Sequence, residues 1–202
     1  MAQKLGPNRV FVNRITDITK SSASIDPTII QFHRTLPQYS RTPLVSLARV
    51  AKELGLGSVF IKDETSRFGL PSFKILGASW ATFCAVTEAL GLPRQISVEE
   101  LIQATQFTYV KIFAATEGNH GRAVARMAAV IGVQAFIFVP KHLDHSTMSF
   151  IAGEGATVEI IDGGYDQAVR AAASRSTVEN GLLIQDTAWD GYEQIPQVRH
   201  LS

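Results

Sequence analysis

The segment YVKIFAATEGNHGRAVARMAAVI, residues Tyr109 to Ile131, joins an apolar run to a helical segment through a short turn that contains glycine. Its first part, up to Ala115, is typical of a strand buried on both faces, as in a parallel sheet. The part from Gly121 to Ile131 predicts a helix that ends at Gly132. A strand followed at once by a helix is the first half of a βαβ unit.

The same alternation continues on both sides of this segment. Downstream we predict strands over 135–139, 157–161 and 182–185, and helices over 146–152 and 165–178. Upstream we predict a helix that starts at Asp26-Pro27, a helix over 47–54 closed by Gly55, and a strand over 58–62. Strands that alternate with helices indicate an α/β fold with open parallel sheets flanked by helices.

Bulk composition excludes several classes of protein. The chain has 202 residues and a formal net charge of +1, so no strong global field attracts nucleic acid or an anionic membrane. Cys84 is the only cysteine, which excludes an internal disulfide and a cysteine-based zinc cluster, and the histidines lack metal-ligand spacing. The amino terminus lacks the apolar core of a secretory signal, and no apolar run could span a bilayer. We therefore expect a cytoplasmic protein without a metal site.

The first of three candidate site motifs is RFGLPSFKILGA, residues Arg67 to Ala78, where a loop enters an apolar helix. Lys74 stands between Phe73 and Ile75, and partial desolvation there would favour the neutral amine that Schiff-base chemistry needs. The alternative is a surface lysine whose stem lies on apolar neighbours.

The second motif is ATEGNHGR, residues Ala115 to Arg122, at the end of a strand and the start of a helix. In open α/β sheets, ligands bind outside the carboxyl ends of the strands. Gly118 and Gly121 permit close backbone approach, and N–H groups at a helix start favour anions. The alternative is an ordinary turn in which Asn119 caps the helix.

The third motif is QDTAWDGY, residues Gln185 to Tyr192, which follows the last predicted strand. It places the acidic residue Asp186 at the same edge of the sheet as the second motif. The alternative is a surface loop that Trp189 anchors by burial in the core.

Together the three motifs are far more specific than any one of them. Ser72-Phe73-Lys74 followed by Glu-Gly-Asn-His-Gly resembles the fold-type II pyridoxal-phosphate (PLP) enzymes of the tryptophan-synthase-β-like superfamily. Within that group, the Arg-Phe-Gly-Leu lead-in and the Asp-Thr-Ala-Trp-x-Gly-Tyr segment resemble the diaminopropionate ammonia-lyases. The resemblance extends from about Tyr39 to Pro196. It implies PLP as the cofactor, a small amino acid as the substrate and a homodimer in the full-length form.

The resemblance also implies a role for each matching residue. Lys74 would bind PLP covalently and later move protons at the substrate Cα, while Glu117 would act as a second base, on the D-isomer. Asp186 would lie near the amino groups of the substrate. The implied reaction is α,β-elimination of an amino acid such as 2,3-diaminopropionate to pyruvate and ammonia. The remaining cofactor contacts would come from the loop residues Gly118, Asn119, His120 and Gly121.

The chain departs from that family at two points. Glu117 stands where the ammonia-lyases carry aspartate, and the extra methylene displaces the carboxylate by about 1 Å. The sequence also stops at Ser202, about half-way along a typical member, so we expect a chain truncated after its amino-terminal half. We expect an arm at 1–40, a partial large PLP domain from 41–76 and 186–202, and a small α/β domain at 77–185.

Two other functions stay open from the sequence. Ser72-Phe73-Lys74 is also compatible with a serine/threonine dehydratase-like lyase, although Leu76 occupies a position where dehydratases usually have arginine. The other alternative is a non-catalytic truncated remnant that at most pairs with a homologue.

Overall fold

The structure is a computed structural model that describes residues 26–196. Within this range the helices are α1 (Pro27–Thr35), α2 (Ala48–Leu54), α3 (Lys74–Ala89), α4 (Val98–Thr105), α5 (Asn119–Val130), α6 (His145–Gly153) and α7 (Tyr165–Val178). The strands are β1 (Leu44–Ser46), β2 (Phe60–Lys62), β3 (Lys111–Ala115), β4 (Gln134–Pro140), β5 (Thr157–Ile161) and β6 (Leu182–Leu183). The first 25 residues of the predicted arm and residues 197–202 of the predicted partial large domain lie outside the described residues.

A parallel four-stranded sheet forms the centre of the fold, in the order β5-β4-β3-β6. Successive side chains of a strand point to opposite faces. On β3, Ile112 and Ala114 therefore contribute to one apolar cluster, while Phe113 and Ala115 contribute to a second cluster on the opposite face. The predicted parallel sheet is confirmed.

Helices cover both faces of this sheet, as the apolar strands require. Ala168 and Ala172 of α7 pack with Phe113 and Phe138 on one face. The long apolar helix α3 and helix α5 belong to the larger cluster on the other face. Because the four strands run parallel, their carboxyl ends and the loops that follow them lie at the same edge of the sheet.

Helix α1 docks on α3 through aromatic and polar contacts. The Phe32 ring lies 5.1 Å from the Trp80 ring and 4.8 Å from that of Phe83, measured between centroids. The buried His33 ring contacts the carbonyl oxygen of Leu76 through Nε2 at 2.9 Å. Burial holds the pKa of His33 below its ordinary value. The predicted start of this helix is confirmed, because the Asp26 carboxylate accepts a hydrogen bond from the Thr28 N–H at 2.9 Å.

The small second sheet differs from the parallel pattern. Strands β1 and β2 pair antiparallel, with Leu44 opposite Lys62 and Ser46 opposite Phe60. Both strands are exposed along their whole length. Sequence analysis predicted the second of these strands but not its antiparallel partner, because a three-residue strand next to Pro43 has no period of its own. No helix among residues 26–196 is long and apolar enough to cross a membrane.

Candidate functional site

A cleft of about 270 Å³ opens at the carboxyl edge of the parallel sheet. The loops after β3 and β6 and the first residues of α3 and α7 meet there, as expected for an open α/β sheet. The cleft brings together residues from all three sequence motifs. It is lined by Lys74, Thr116, Glu117, Gly118, Asn119, His120, Tyr165 and Asp186.

Lys74 and Asp186, which both line this cleft, form an ion pair although they are 112 residues apart in the sequence. The Lys74 amine lies 2.9 Å from Oδ2 of Asp186. Its side chain is 35% exposed and that of Asp186 is 11% exposed, so the amine reaches solvent while the carboxylate is mostly covered. The expected apolar setting is only partly present, because Ile75 is buried but Phe73 is 61% exposed. A mostly covered carboxylate therefore lies beside this amine.

Lys74 is placed by the turn that precedes its helix. The Arg67–Leu70 turn is closed by the Leu70 N–H donating to the Arg67 carbonyl at 2.8 Å, with positive φ at both Phe68 and Gly69. The Arg67 guanidinium is buried and donates to the Glu64 carboxylate, and this contact holds the pKa of Glu64 below its ordinary value. Ser72 then accepts from the Lys74 N–H at 3.2 Å at the start of α3. The lead-in motif is therefore a hydrogen-bonded connection between the small antiparallel sheet and the site lysine.

His120 and Tyr165 flank the Asp186 carboxylate. The buried His120 ring contacts the carbonyl oxygen of Ile184 through Nε2 at 2.8 Å, and its Nδ1 lies 4.0 Å from Oδ2 of Asp186. A carbonyl oxygen only accepts, so Nε2 carries the proton of that contact. The Tyr165 hydroxyl donates to Oδ1 of Asp186 at 3.4 Å.

Thr116 shapes the loop that forms the other wall. Its hydroxyl oxygen accepts from the N–H of Gly118 at 2.9 Å and from the N–H of Gly121 at 3.0 Å. The Thr116 hydroxyl does not bind the backbone N–H groups of Asn119 and His120, which lie in the first turn of α5. Gly118 has φ of 151°, a conformation that favours glycine. Gly118 is also the residue that caps α5, whereas the alternative prediction gave that cap to Asn119. Asn119 is instead the first residue of α5, and its exposed side chain lines the cleft.

Gly121 has a packing role that is visible in the structure. A Cβ at this position would lie 2.4 Å from Cγ2 of Thr116 and 2.7 Å from Cγ2 of Ile137. The glycine therefore lets α5 approach the sheet closely, and it is buried. Its predicted contact with the cofactor stays a prediction.

Glu117 lines the cleft but its carboxylate is paired on the outer side. Its Oε1 lies 3.3 Å from Nε2 of His142, and both side chains are exposed. A neighbouring cleft of about 300 Å³ shares Glu117, Gly118 and Asn119 and contains the Arg122 side chain. The 117–119 loop thus separates two clefts, and Glu117 can reach either.

The sequence profile of the family described as "Pyridoxal-phosphate dependent enzyme" matches residues 35–197. The chain belongs to that family. The match includes Lys74, the 117–121 loop and Asp186, and it confirms the predicted resemblance and cofactor class.

Individual members of the PLP-dependent family show how much of such an enzyme is present. A diaminopropionate ammonia-lyase of Salmonella typhimurium is 40% identical over 180 residues, which are 83% of this chain and 43% of that protein. A catabolic L-threonine dehydratase of Staphylococcus aureus is 29% identical, over 83% of this chain and 40% of that protein. The apo crystal structure of the Escherichia coli diaminopropionate ammonia-lyase matches with a TM-score of 0.82 at 33% identity, over 89% of this chain and 49% of that one. The chain therefore spans less than half the length of these relatives, and the fold-type II architecture is confirmed.

The lining residues fit the ring end of PLP and not its phosphate. Lys74 would supply a primary amine for the aldehyde, and Asn119 would supply an amide donor for the phenolic oxygen. Of the charged lining residues, Lys74 is a cation while Glu117 and Asp186 are carboxylates, so a phosphate dianion here would meet net negative charge. The phosphate would need donors from outside this lining.

Sequence analysis assigned no role to three residues that build the site. Thr116 and Gln185 lie inside the quoted motifs, and a polar residue next to an apolar strand was the signal that could have identified them. Tyr165 lies 21 positions before Asp186, at a helix start that follows Gly163-Gly164. No local pattern marks it, because its contact depends on how α7 crosses the sheet.

Proposed function

We propose that the protein is a PLP-dependent lyase that removes the β-amino group of 2,3-diaminopropionate as ammonia, after which hydrolysis of the resulting enamine gives pyruvate and a second ammonia. The observation that carries this proposal is the Lys74–Asp186 pair, with 2.9 Å between amine and carboxylate, in a cleft bounded by the 117–119 loop. In such a pair, the lysine amine can bind PLP covalently. The neighbouring carboxylate can accept hydrogen bonds from an amino group of the substrate.

The chemistry of the cleft assigns a task to each side chain. PLP, when bound, supplies the electron sink that makes the substrate Cα acidic. Lys74 binds the cofactor through Nζ and afterwards holds or moves the proton at Cα. Asn119 donates its amide N–H towards the phenolic oxygen and orients the ring. Gly118 gives the loop its bend, and His120 supports the Asp186 side of the cleft.

The charges of the cleft favour a diamino acid over a hydroxy amino acid. Two carboxylates, Glu117 and Asp186, line it together with the one lysine, and 2,3-diaminopropionate carries two amino groups where serine carries one. Asp186 would bind the β-ammonium group and keep it protonated, so that it departs as neutral ammonia. Glu117 would act as the second base, on the face reached by the Cα proton of the D-isomer.

The dehydratase-like lyase stays the second candidate, because the relatives include a threonine dehydratase. The test is to express the protein from its complete coding sequence, load it with PLP and measure pyruvate or 2-oxobutyrate release. We expect turnover of diaminopropionate to exceed that of serine and threonine. Preference for serine or threonine would select the dehydratase reading, and no turnover with PLP bound would select the non-catalytic remnant.

Assay of an Asp186→Asn variant tests the charge argument directly. We expect kcat/KM for diaminopropionate to fall by about 100-fold, because the variant loses the carboxylate that accepts from the β-ammonium group. The loss for serine should be smaller. An equal loss for both substrates would contradict the assignment of Asp186 to the β-amino group.

Assembly and location are part of the same proposal. We infer a homodimer in the cytoplasm, both on the resemblance to the PLP-dependent family. Sedimentation of the PLP-loaded protein at several concentrations tests the dimer, and a monomer throughout that range would contradict it.

A further inference from the structure

A buried hydrogen-bonded chain leads from the end of β3 to the Asp186 carboxylate. The Gln185 side chain is fully buried, and its Oε1 accepts from the Ala115 N–H at 3.0 Å. Its Nε2 donates to the Ala115 carbonyl at 3.3 Å and to the Tyr165 hydroxyl at 2.7 Å. A backbone N–H can only donate, so the amide has one orientation and its NH₂ group faces Tyr165.

The series of hydrogen bonds continues through the Tyr165 hydroxyl. Because the hydroxyl oxygen accepts from Gln185, its own hydrogen is left to donate, and Oδ1 of Asp186 lies 3.4 Å away. The other carboxylate oxygen, Oδ2, accepts from the Lys74 amine at 2.9 Å. Tyr165 thus contacts one oxygen of Asp186 and Lys74 contacts the other.

Gln185 is itself held firmly, so it provides a fixed anchor. Its backbone N–H donates to the Tyr192 hydroxyl at 2.8 Å, and that hydroxyl donates to the Leu183 carbonyl at 2.7 Å. The Ile184 N–H donates to the Phe113 carbonyl at 2.8 Å, which extends the pairing of β6 with β3. Tyr165, by contrast, reaches the site from the first residue of α7.

We propose that Tyr165 is a positioning residue that holds the Asp186 carboxylate in register with the Lys74 amine. It acts through Asp186, and Gln185 fixes the direction in which its hydroxyl donates. The inference deepens the proposed function, because it rests on Lys74 and Asp186 being the working pair of the site. The 3.4 Å distance is longer than the usual O–H···O contact, so the effect on Lys74 is moderate.

The experiment measures the reactivity of the Lys74 amine in the protein without PLP. The protein is expressed from its complete coding sequence, treated briefly with an acetylating N-hydroxysuccinimide ester, and the labelling rate of each lysine is measured by mass spectrometry. Lys111 serves as the internal reference, since it is also 35% exposed and pairs with a carboxylate, Glu179, at 2.6 Å. A carboxylate held beside an amine keeps it protonated and slow to acylate.

Removal of the Tyr165 hydroxyl should speed the labelling of Lys74. We expect about a 3-fold rise relative to Lys111 in Tyr165→Phe and also in Tyr165→Leu, the size of one modest hydrogen bond. Asp186→Asn should give a rise at least as large. Ser176→Ala is the matched control, because it removes a hydroxyl from a buried residue of the same helix, where it donates to the Ala173 carbonyl at 2.8 Å and does not line the cleft, and the labelling of Lys74 should stay within about 2-fold of the wild type.

Two results would overturn the proposal. One is unchanged Lys74 labelling in both Tyr165 variants while Asp186→Asn raises it. The other is an equal rise in Ser176→Ala, which would assign the effect to general loosening of α7. No cofactor or substrate takes part in the measurement, so its outcome is independent of whether the protein proves to be a diaminopropionate lyase.

Discussion

Glu117 is the predicted second base, and the resemblance implies an aspartate at this position in the ammonia-lyases. Its carboxylate contacts His142 and lies on the loop between two clefts. In the protein expressed from its complete coding sequence, we expect Glu117→Gln to lower kcat for D-2,3-diaminopropionate by about 10-fold or more, the scale of general-base catalysis. The L-isomer should be affected less, because Lys74 serves that face.

Steady-state kinetics on the separate isomers check this expectation. Asp162→Asn is the matched control, since it neutralises a carboxylate in another exposed pair, with Lys141 at 2.9 Å, away from the cleft. Equal losses for the two isomers, or a loss of folding in Glu117→Gln alone, would mean that Glu117 is a structural charge.

Single residues also show where sequence analysis reached its limit. Lys74 and Asp186 were predicted as site residues from motifs, and the structure brings them within 2.9 Å of each other. The exposure of Phe73 and the contact of Tyr165 with Asp186 were not predicted. Both depend on the direction in which a helix start faces, which tertiary packing sets and a local sequence pattern does not.

At the scale of elements, helices α5 and α6 are joined by a buried acidic residue. Glu154 follows α6, and its mostly buried carboxylate accepts from Arg122 at 2.9 Å and also from Arg126. Burial opposes its ionisation, but the hydrogen bonds from the two arginines hold the pKa of Glu154 below its ordinary value. Because the pKa is lowered on folding, this stabilisation is present above the ordinary pKa and is lost as the pH falls through the folded value.

We therefore expect Glu154→Gln to lower the free energy of unfolding by about 2 kcal/mol at neutral pH. The difference from the wild type should shrink as the pH falls below the ordinary range of a glutamate. Glu53→Gln breaks the exposed Arg49 pair on α2 and should cost no more than about 0.5 kcal/mol. Urea unfolding of both variants at several pH values measures these free energies. An equal loss of stability in Glu154→Gln and Glu53→Gln would show that the buried ion pairs of Glu154 stabilise the fold no more than the exposed pair does.

The boundaries of the elements were largely predictable where a physical signal lies in the local sequence. The predicted strand over 157–161 and helix over 165–178 match β5 and α7 as observed, and Gly55 closes α2 with φ of 65° as predicted. Helix α4 was missed, although Ser97 and Glu100 form a capping box at its start. The antiparallel pairing of β1 was missed because it requires a partner 18 residues away, Leu44 with Lys62.

At the scale of the whole molecule, an apolar surface surrounds the small antiparallel sheet. We propose that 41–76 and 186–202 belong to a larger domain and that 77–185 form the smaller one, with this surface covered by further parts of the large domain. The relatives, of which this chain spans less than half, have the length to supply such a cover. Its exposed members are Leu44, Val45, Leu54, Leu56, Phe60 and Ile61.

Residues 1–202 expressed alone should therefore bind PLP weakly and associate. The cleft lining offers no net positive charge to the phosphate, and each missing charge-assisted hydrogen bond costs about 1.5 to 3 kcal/mol. Losing three or four such bonds removes several decades of affinity. Exposed apolar patches of the kind seen around β1 and β2 promote association.

Titration with PLP, followed by absorbance and by light scattering, measures both properties. Affinity should improve by orders of magnitude in the protein expressed from its complete coding sequence. A soluble monomer of residues 1–202 that unfolds cooperatively and binds PLP at micromolar concentration would contradict this prediction.

The attachment of PLP to Lys74 is the claim on which the function depends. The measurement is borohydride reduction of the PLP-loaded protein, expressed from its complete coding sequence, followed by proteolysis and mass spectrometry. We predict the reduced adduct on the peptide that contains Lys74, and loss of both the adduct and the visible absorbance band in Lys74→Ala. Lys111→Ala, which removes a lysine of equal exposure, should keep both. An adduct on a different lysine, or a visible band that persists in Lys74→Ala, would contradict the account.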